Sequence, residues 1–332
     1  MAKPTILVTG GAGFIGSHMV DVALEAGYAV RVVDSLVGGH ERNLAHHCGN
    51  QDLNFEKADI RDLDANAAIF KGVKYVVHYA GIGDIVPSIE QPVDYMSTNV
   101  QGTVHVMEGA RAAGVEKVVY AASSSCYGLA DTPTREDHPI APQYPYALSK
   151  YQGEQAAFHW HQVYGLPVNA IRIFNAYGTR VRTTGAYGAV FGVFFRQKLA
   201  GEPFTVVGDG TQTRDFLYAS DVARAFLAAA ETPLTGEIWN LGAGAPQSVN
   251  RLVDLIGGPV TYVPKRPGEP DITHADTSKI QADLGWAPTI PFEEGVARMM
   301  AEIDVWKDAP LWTPEKIDDA TKTWFKYLGK SE

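Results

Sequence analysis

Short apolar, β-branched runs recur along the first half of the chain, at Thr5–Thr9, Ala29–Asp34, Tyr75–Tyr79, Lys117–Ala122 and Val168–Phe174. Stretches with apolar residues at helical spacing separate them, and strands alternating with helices predict βαβ units on a parallel sheet. Two helices are expected over Asn99–Ala113 and Tyr146–Tyr164, flanking the strand that starts at Lys117; Gly114 and Gly165 follow where helix-ending glycines belong. Beyond about Ala176 the texture becomes rich in Gly, Pro and aromatic residues, as in Gly208–Gly210 and Pro264–Pro270. Ser220–Ala230 followed by Glu237–Leu241 again reads helix then strand, so the chain is expected to return to the sheet there. The expected class is α/β: a doubly wound parallel sheet over 1–175, rejoined at about 215–245, with a smaller lobe from 176–214 and 246–332. The tail Trp306–Tyr327 is rich in Trp and Lys, and the pattern assigns it no role.

A chain of 332 residues, 45% hydrophobic and 20% charged, can bury such a core without staples. Cys48 and Cys126 form neither a disulfide framework nor a metal-binding spacing, which predicts a reducing compartment and no zinc. No apolar run approaches the roughly 18 residues of a membrane span, and the first strand leaves no room for a signal peptide; a cytoplasmic location is expected. A formal net charge of −10 without a Lys/Arg-rich block argues against a nucleic-acid surface. An anionic ligand would have to be captured by a few placed arginines.

Gly10, Gly13 and Gly16 lie in Thr9-Gly10-Gly11-Ala12-Gly13-Phe14-Ile15-Gly16, after a strand and at the start of a helix. The first glycine permits the tight turn, the second lets backbone approach a pyrophosphate, and the helix N-terminus stabilises its charge. Asp34 ends the second strand, where a carboxylate can bond an adenosine ribose and repel a 2′-phosphate, favouring NAD over NADP; Arg31 and Arg42 leave some room for NADP. Asp59-Ile60 suits the adenine end of such a pocket, or Asp59 simply caps a helical turn.

Tyr146 and Lys150 stand four residues apart, on one face of the second helix. A free tyrosine has a pKa near 10, so the Lys150 cation, helped by an oxidised nicotinamide, would make Tyr146 a base near neutral pH. Ser123-Ser124-Ser125 follows the strand ending at Ala122, at the carboxyl end where open α/β sheets bind ligands. A hydroxyl there can share a proton with the substrate oxygen.

Glycine loop, serine run and YxxxK, in this order, resemble the extended short-chain dehydrogenase/reductases, which include nucleotide-sugar epimerases, dehydratases and decarboxylases on a Rossmann fold. Further motifs carry the resemblance from Thr9 to about Trp286: His78-Tyr79-Ala80-Gly81, Thr98-Asn99-Val100, Ser123–Gly128, Arg172-Ile173-Phe174-Asn175, Gly208-Asp209-Gly210, Arg214-Asp215-Phe216 and Arg266-Pro267-Gly268-Glu269. The resemblance implies bound NAD, contacted by Gly10, Gly13, Phe14, Ile15, Gly16, Asp34, Ser35, Asp59, Ile60, Tyr79, Ala80, Gly81, Asn99, Tyr146, Lys150 and Phe174. It also implies a catalytic set of Ser123, Tyr146 and Lys150.

Dehydratases of this family carry acidic residues, and decarboxylases a Glu, where this chain has Ser124 and Ser125. Ser-Ser-Ser-Cys-Tyr-Gly is instead similar to UDP-hexose 4-epimerases, particularly those accepting N-acetylated sugars. Tyr146 would then remove the proton of the 4-hydroxyl while NAD accepts hydride from carbon 4, and the 4-keto sugar would turn and take the hydride back on its other face. Arg214 and Arg266 would hold the diphosphate, and Asn175, Val86, Ser124, Ala189, Val190, Thr205 and Glu269 would complete the contacts to a nucleotide-diphosphate sugar, UDP-linked by resemblance. Thr273 falls where hexose-only epimerases tend to carry a Tyr, which would leave space for an N-acetyl group. His159 and His161 face different directions and predict no metal site; Cys126 reads as packing, and His78 as a wall of the cofactor pocket. By resemblance the chain is expected to form a homodimer through the two helices flanking the Lys117 strand. Rival readings are another nucleotide-sugar modifier (a 4,6-dehydratase, 4-keto reductase, 2-epimerase, 3,5-epimerase or decarboxylase) and a non-catalytic dinucleotide sensor.

Overall fold

A computed structural model describes residues 3–184, 190–265 and 269–329. Its first half contains β1 (Thr5–Thr9), α1 (Phe14–Glu25), β2 (Ala29–Asp34), β3 (Leu53–Lys57), β4 (Tyr75–His78), α2 (Ile85–Glu90), α3 (Pro92–Met96), α4 (Gly102–Ala113), β5 (Lys117–Ser123), α5 (Pro145–Tyr164) and β6 (Val168–Ile173). The second half adds β7 (Asn175–Tyr177), α6 (Val190–Ala200), β8 (Phe204–Val207), β9 (Thr213–Arg214), β10 (Phe216–Tyr218), α7 (Ala219–Glu231), β11 (Ile238–Leu241), β12 (Gln247–Ser248), α8 (Val249–Ile256), β13 (Val260–Val263), α9 (Ser278–Leu284), α10 (Phe292–Ala301) and α11 (Pro314–Leu328).

Among the described residues seven strands form one parallel sheet in the order β11-β6-β5-β4-β1-β2-β3. Both faces are covered, so the central strands read as unbroken apolar runs rather than alternating ones: β5 is buried along its whole length. One core, with Val8, Val32, Val77, Phe226 and Trp239, lies between the sheet and α1 and α7; the other, with Leu7, Val76, Val118, Met107 and Ala157, lies under α4 and α5. Gly114 and Gly165 end α4 and α5 in the left-handed conformation, at φ 65° and 68°, which a residue with a Cβ adopts only under strain. Thr9, His78, Ser123 and Ile173 all stand at the carboxyl ends of their parallel strands, on one side of the sheet. A third core, built from Tyr177, Phe191, Phe194, Phe195, Phe216 and Phe292, holds the short strand pairs β7–β10 and β8–β13 together with α6, α8 and α10. Among the described residues no helix is long and apolar enough to cross a membrane.

Candidate active site

The turn after β1 is shaped by contact. Gly10 sits at φ 70°, where a Cβ would come within 2.8 Å of the Ala80 backbone nitrogen, and a Cβ on Gly16 would come within 2.1 Å of the Gly10 carbonyl oxygen. α1 therefore starts hard against the turn. Its N-cap, Gly13, offers no side-chain bond and its first turn holds no acid, so the backbone N–H groups at this end are left for an anion. Asp34 closes the adjoining strand end, its carboxylate accepting from Ala12 N at 3.0 Å and Leu36 N at 2.8 Å. Burial pushes its carboxyl above the usual range. Across the gap, Gly81 lies where a Cβ would meet Asn99 Oδ1 at 2.8 Å and Lys150 Nζ at 3.9 Å. The buried Tyr79 hydroxyl finds no hydrogen-bond partner among the described residues. A cradle too tight for side chains, a bare helix N-terminus and an orphaned phenol together fit a dinucleotide.

Asp59 and Ile60, expected at the adenine end, Arg31, which left room for NADP, and His78 all have protein partners of their own. Asp59 caps the turn Ile60–Asp62 and pairs with Arg61 at 2.7 Å, the capping alternative, while Ile60 is buried under α4. Arg31 donates to the carbonyls of Ile69 and Lys71 and so is committed to the loop before β4. His78 is not a pocket wall: it is fully buried, bonded to Thr9 Oγ1 at 2.6 Å and Thr103 Oγ1 at 3.0 Å, and braces β1, β4 and α4 from behind.

α5 begins with Pro145 in its first turn, which presets the helical φ and places Tyr146 beside the end of β5. The Tyr146 hydroxyl donates to Ser123 Oγ at 3.4 Å. One turn on, the buried Lys150 ammonium lies 4.5 Å over the Tyr120 ring, and burial brings its pKa down to about 8. Burial also holds the Tyr146 phenol above its ordinary value. Lys150 is expected from the sequence to depress that phenol; in the structure desolvation outweighs it, and the positive charge of an oxidised nicotinamide would add to that of Lys150.

Asn99 fixes this helix to the cofactor loop. It lies in a π-helical segment, Ser97–Gln101, between α3 and α4, a widening frequently found at functional sites. Its amide bonds Ile82 N at 2.8 Å and Ile82 O at 3.0 Å and donates to Ser149 Oγ at 2.9 Å. A second brace was invisible in the sequence motifs: Glu154, one turn beyond Lys150, receives two hydrogen bonds from Arg172 on β6, at 2.6 and 2.9 Å, both side chains being about 5% exposed. Arg172 also donates to the Tyr127 hydroxyl, which in turn donates to Asn240 on β11.

On the second-lobe side, Arg214 Nη2 donates to Glu269 Oε1 at 2.8 Å, and Thr273 Oγ1 donates to Asn175 Oδ1 at 2.6 Å while accepting from Asp215 N. These four expected residues meet in two pairs. Val86 is buried in α2, and Val190 opens α6 against the aromatic core. Thr205 is not brought to them: it is 4% exposed, and its hydroxyl accepts from Gln197 inside the lobe. Ala189 and Arg266 lie outside the described residues. Cys126 is buried, and burial pushes its thiol up to about 12, too high for a nucleophile. The site also holds residues the motifs passed over. Tyr95 donates to the Asp84 carbonyl at 2.6 Å and meets Tyr146 edge-on, and Arg182 pairs with Asp84 at 2.6 Å. Among the described residues one trio, Asp21, His46 and His47, converges as metal ligands would; Arg180 already occupies the same carboxylate at 2.5 Å.

The fold and the two-sided site define the class, and the family model described as NAD dependent epimerase/dehydratase matches residues 6–242: the chain belongs to that family. Its relatives narrow the picture. The UDP-glucose 4-epimerase of Mycolicibacterium smegmatis is 36% identical over 88% of this chain and 96% of its own. Two solved structures superpose with TM-scores of 0.84: the UDP-N-acetylglucosamine 4-epimerase of Methanobrevibacter ruminantium, in complex with UDP-N-acetylmuramic acid, and the UDP-glucuronic acid 4-epimerase of Bacillus cereus, with UDP-glucuronic acid and NAD. They are 30% and 29% identical, each over 91% of this chain and 100% and 99% of theirs.

Proposed function

We infer that this chain is an NAD-dependent UDP-sugar 4-epimerase. The observation that carries it is the Tyr146–Ser123 hydroxyl pair at the carboxyl end of β5, with serines rather than acids at 124 and 125. Tyr146 takes the proton of the sugar 4-hydroxyl and returns it, Ser123 shares that proton, and the buried Lys150 supplies positive charge. NAD, when bound, accepts hydride from carbon 4 and gives it back, so turnover consumes no cofactor. Gly10, Gly13, Gly16 and Asp34 hold the dinucleotide, with Tyr79, Gly81 and Asn99 toward the nicotinamide. Arg214, oriented by Glu269, holds the nucleotide diphosphate, with Asn175 reaching the diphosphate or the sugar. Thr273, bonded beside Asn175, is small enough to leave room for an N-acetyl group at carbon 2. Water elimination would require an acid near carbon 6; Glu269 and Asp84 are committed to Arg214 and Arg182.

The reading extends to organisation. Residues 1–175 with the return at about 215–245 form the cofactor domain, and 176–214 with 246–332 form the sugar-nucleotide lobe. A homodimer through α4 and α5 is supported by Val163 and Tyr164, exposed at the end of α5. The free Cys48 and Cys126 support a cytoplasmic location, and supply of sugars for polysaccharide is the proposed role. Incubation of the purified protein with UDP-glucose and UDP-N-acetylglucosamine, without added cofactor, tests the inference by NMR of the products. Galacto epimers are expected; a 4-keto-6-deoxy sugar would refute it.

A further inference from the structure

The tail that the sequence left without a role folds as α11. Thr313 caps it, its hydroxyl accepting from Lys316 N at 3.4 Å, and Pro314 occupies the first turn. Ile317, Thr321 and Trp324, at helical spacing, form its buried stripe, all 6% exposed or less. That stripe divides its contacts. Ile317 joins the aromatic core of the second lobe, whereas Trp324 packs 6.2 Å from the ring of Tyr144. Beside it Thr323 donates to Glu90 at 3.1 Å, at the end of α2, the helix that carries Val86. The segment before α11 is tied to α6, where Arg196 Nε donates to the Ala309 carbonyl at 3.0 Å and Gln197 Nε2 to that of Trp312 at 2.7 Å.

Tyr144 is the N-cap residue of α5, two positions before the catalytic phenol. Its ring lies parallel to that of Tyr146, 6.4 Å away, and its hydroxyl is within reach of the Ser125 side chain. Burial, with Tyr146 and Glu269 adding to it, pushes the Tyr144 phenol up to about 12 against the opposing effect of the Ser125 side chain, so it is a neutral donor at physiological pH.

We propose that Tyr144 is a further sugar-contacting residue, positioned by Trp324, and that α11 thereby forms a wall of the sugar pocket. This rests on the epimerase reading. A 4-keto sugar that must turn between two half-reactions needs retention without tight grip. An aromatic wall with one neutral donor supplies that.

The test uses the NAD-loaded full chain and the variants Tyr144→Phe, Trp324→Ala and Trp324→Phe, each titrated calorimetrically with UDP and with UDP-glucose and assayed for KM and kcat. Loss of one neutral hydrogen bond predicts roughly fivefold weaker UDP-glucose binding in Tyr144→Phe, with UDP binding unchanged and KM raised in step. Trp324→Ala is expected to do the same and, in addition, to release the 4-keto sugar, seen as reduced cofactor accumulating on the enzyme; Trp324→Phe restores retention. Equal weakening of both ligands, or of neither, overturns the proposal while leaving the epimerase intact. Should Trp324→Ala not fold, Tyr144→Phe and Trp324→Phe decide alone. A wild-type protein that binds neither ligand overturns both readings.

Discussion

Replacing Glu154 by Gln would remove the charge of the buried pair while keeping its shape. Arg172 would then sit about 5% exposed with its cation uncompensated, its two bonds to the carboxylate reduced to one amide oxygen, beside the Tyr127 hydroxyl and the Glu136 carbonyl. Breaking a buried pair from one side costs about 3–5 kcal/mol. At about 2 °C per kcal/mol for a chain of this size, the melting temperature should fall by roughly 6–10 °C. A second effect separates this from plain destabilisation. The Glu154 carboxylate raises the Lys150 pKa against the burial that lowers it to about 8. Without Glu154 that pKa falls further, so Lys150 loses its proton at lower pH, and the alkaline fall in turnover should move toward neutrality. Calorimetric melting and the pH dependence of kcat read the two effects on one protein. Changing both partners to Met should recover most of the stability, because neither charge is then left buried. A Glu154→Gln protein that melts within about 2 °C of wild type, or loses activity with its pH profile unmoved, would refute the reasoning.

Three other outcomes follow from the geometry. Tyr146→Phe should lower epimerisation by about 10²–10⁴-fold while cofactor content and UDP binding stay as in wild type; surviving turnover would remove Tyr146 from the mechanism. Gly16→Ala places a methyl 2.1 Å from the Gly10 carbonyl oxygen, so α1 must shift; a loss of about 1–3 kcal/mol and of co-purifying NAD is expected by denaturant titration and absorbance. Burial, with Arg180 adding to it at His18 and Lys150 at His78, lowers these two imidazoles to about 4 and about 3. Below pH 6.5 the unfolded chain binds protons that the folded one refuses, so stability falls as pH drops, by about 2 kcal/mol per histidine between pH 6.5 and 5. Equal denaturation midpoints at those two pH values would contradict it.

What the sequence disclosed follows from the range of each interaction. β1 and β2 match the expected runs Thr5–Thr9 and Ala29–Asp34 residue for residue, and α5 begins one residue before Tyr146, because burial on both faces writes continuous apolar strands and glycine marks helix ends locally. Tyr146, Ser123 and Asn99 were legible as spaced motifs. The missed partners join residues far apart in sequence: Arg172 with Glu154, Tyr127 with Asn240, Trp324 with Tyr144. No periodicity encodes such pairs. Asp59, Arg31 and Thr205 were read by residue type near a motif, and each found a neighbour of its own, Arg61, the loop before β4 and Gln197. His78 was expected to face a ligand because strand ends often do; a side chain at that end can equally point down between Thr9 and Thr103.

The bond between Tyr127 and Asn240 ties the catalytic corner to a strand made late in synthesis. β11 completes the sheet beside β6, and the Asn240 amide also bonds the Thr134 carbonyl. At ribosomal speeds of about 5–20 residues per second, roughly 5–20 s separate the emergence of Lys150 from that of Leu241. For that interval the nascent chain owns its dinucleotide turn but not the strand that steadies the corner behind Ser123. Because Phe226 on α7 and Trp239 on β11 share one core with Met19 and Val20 of α1, that turn is seated only when β11 arrives, so cofactor domain and catalytic corner are completed together.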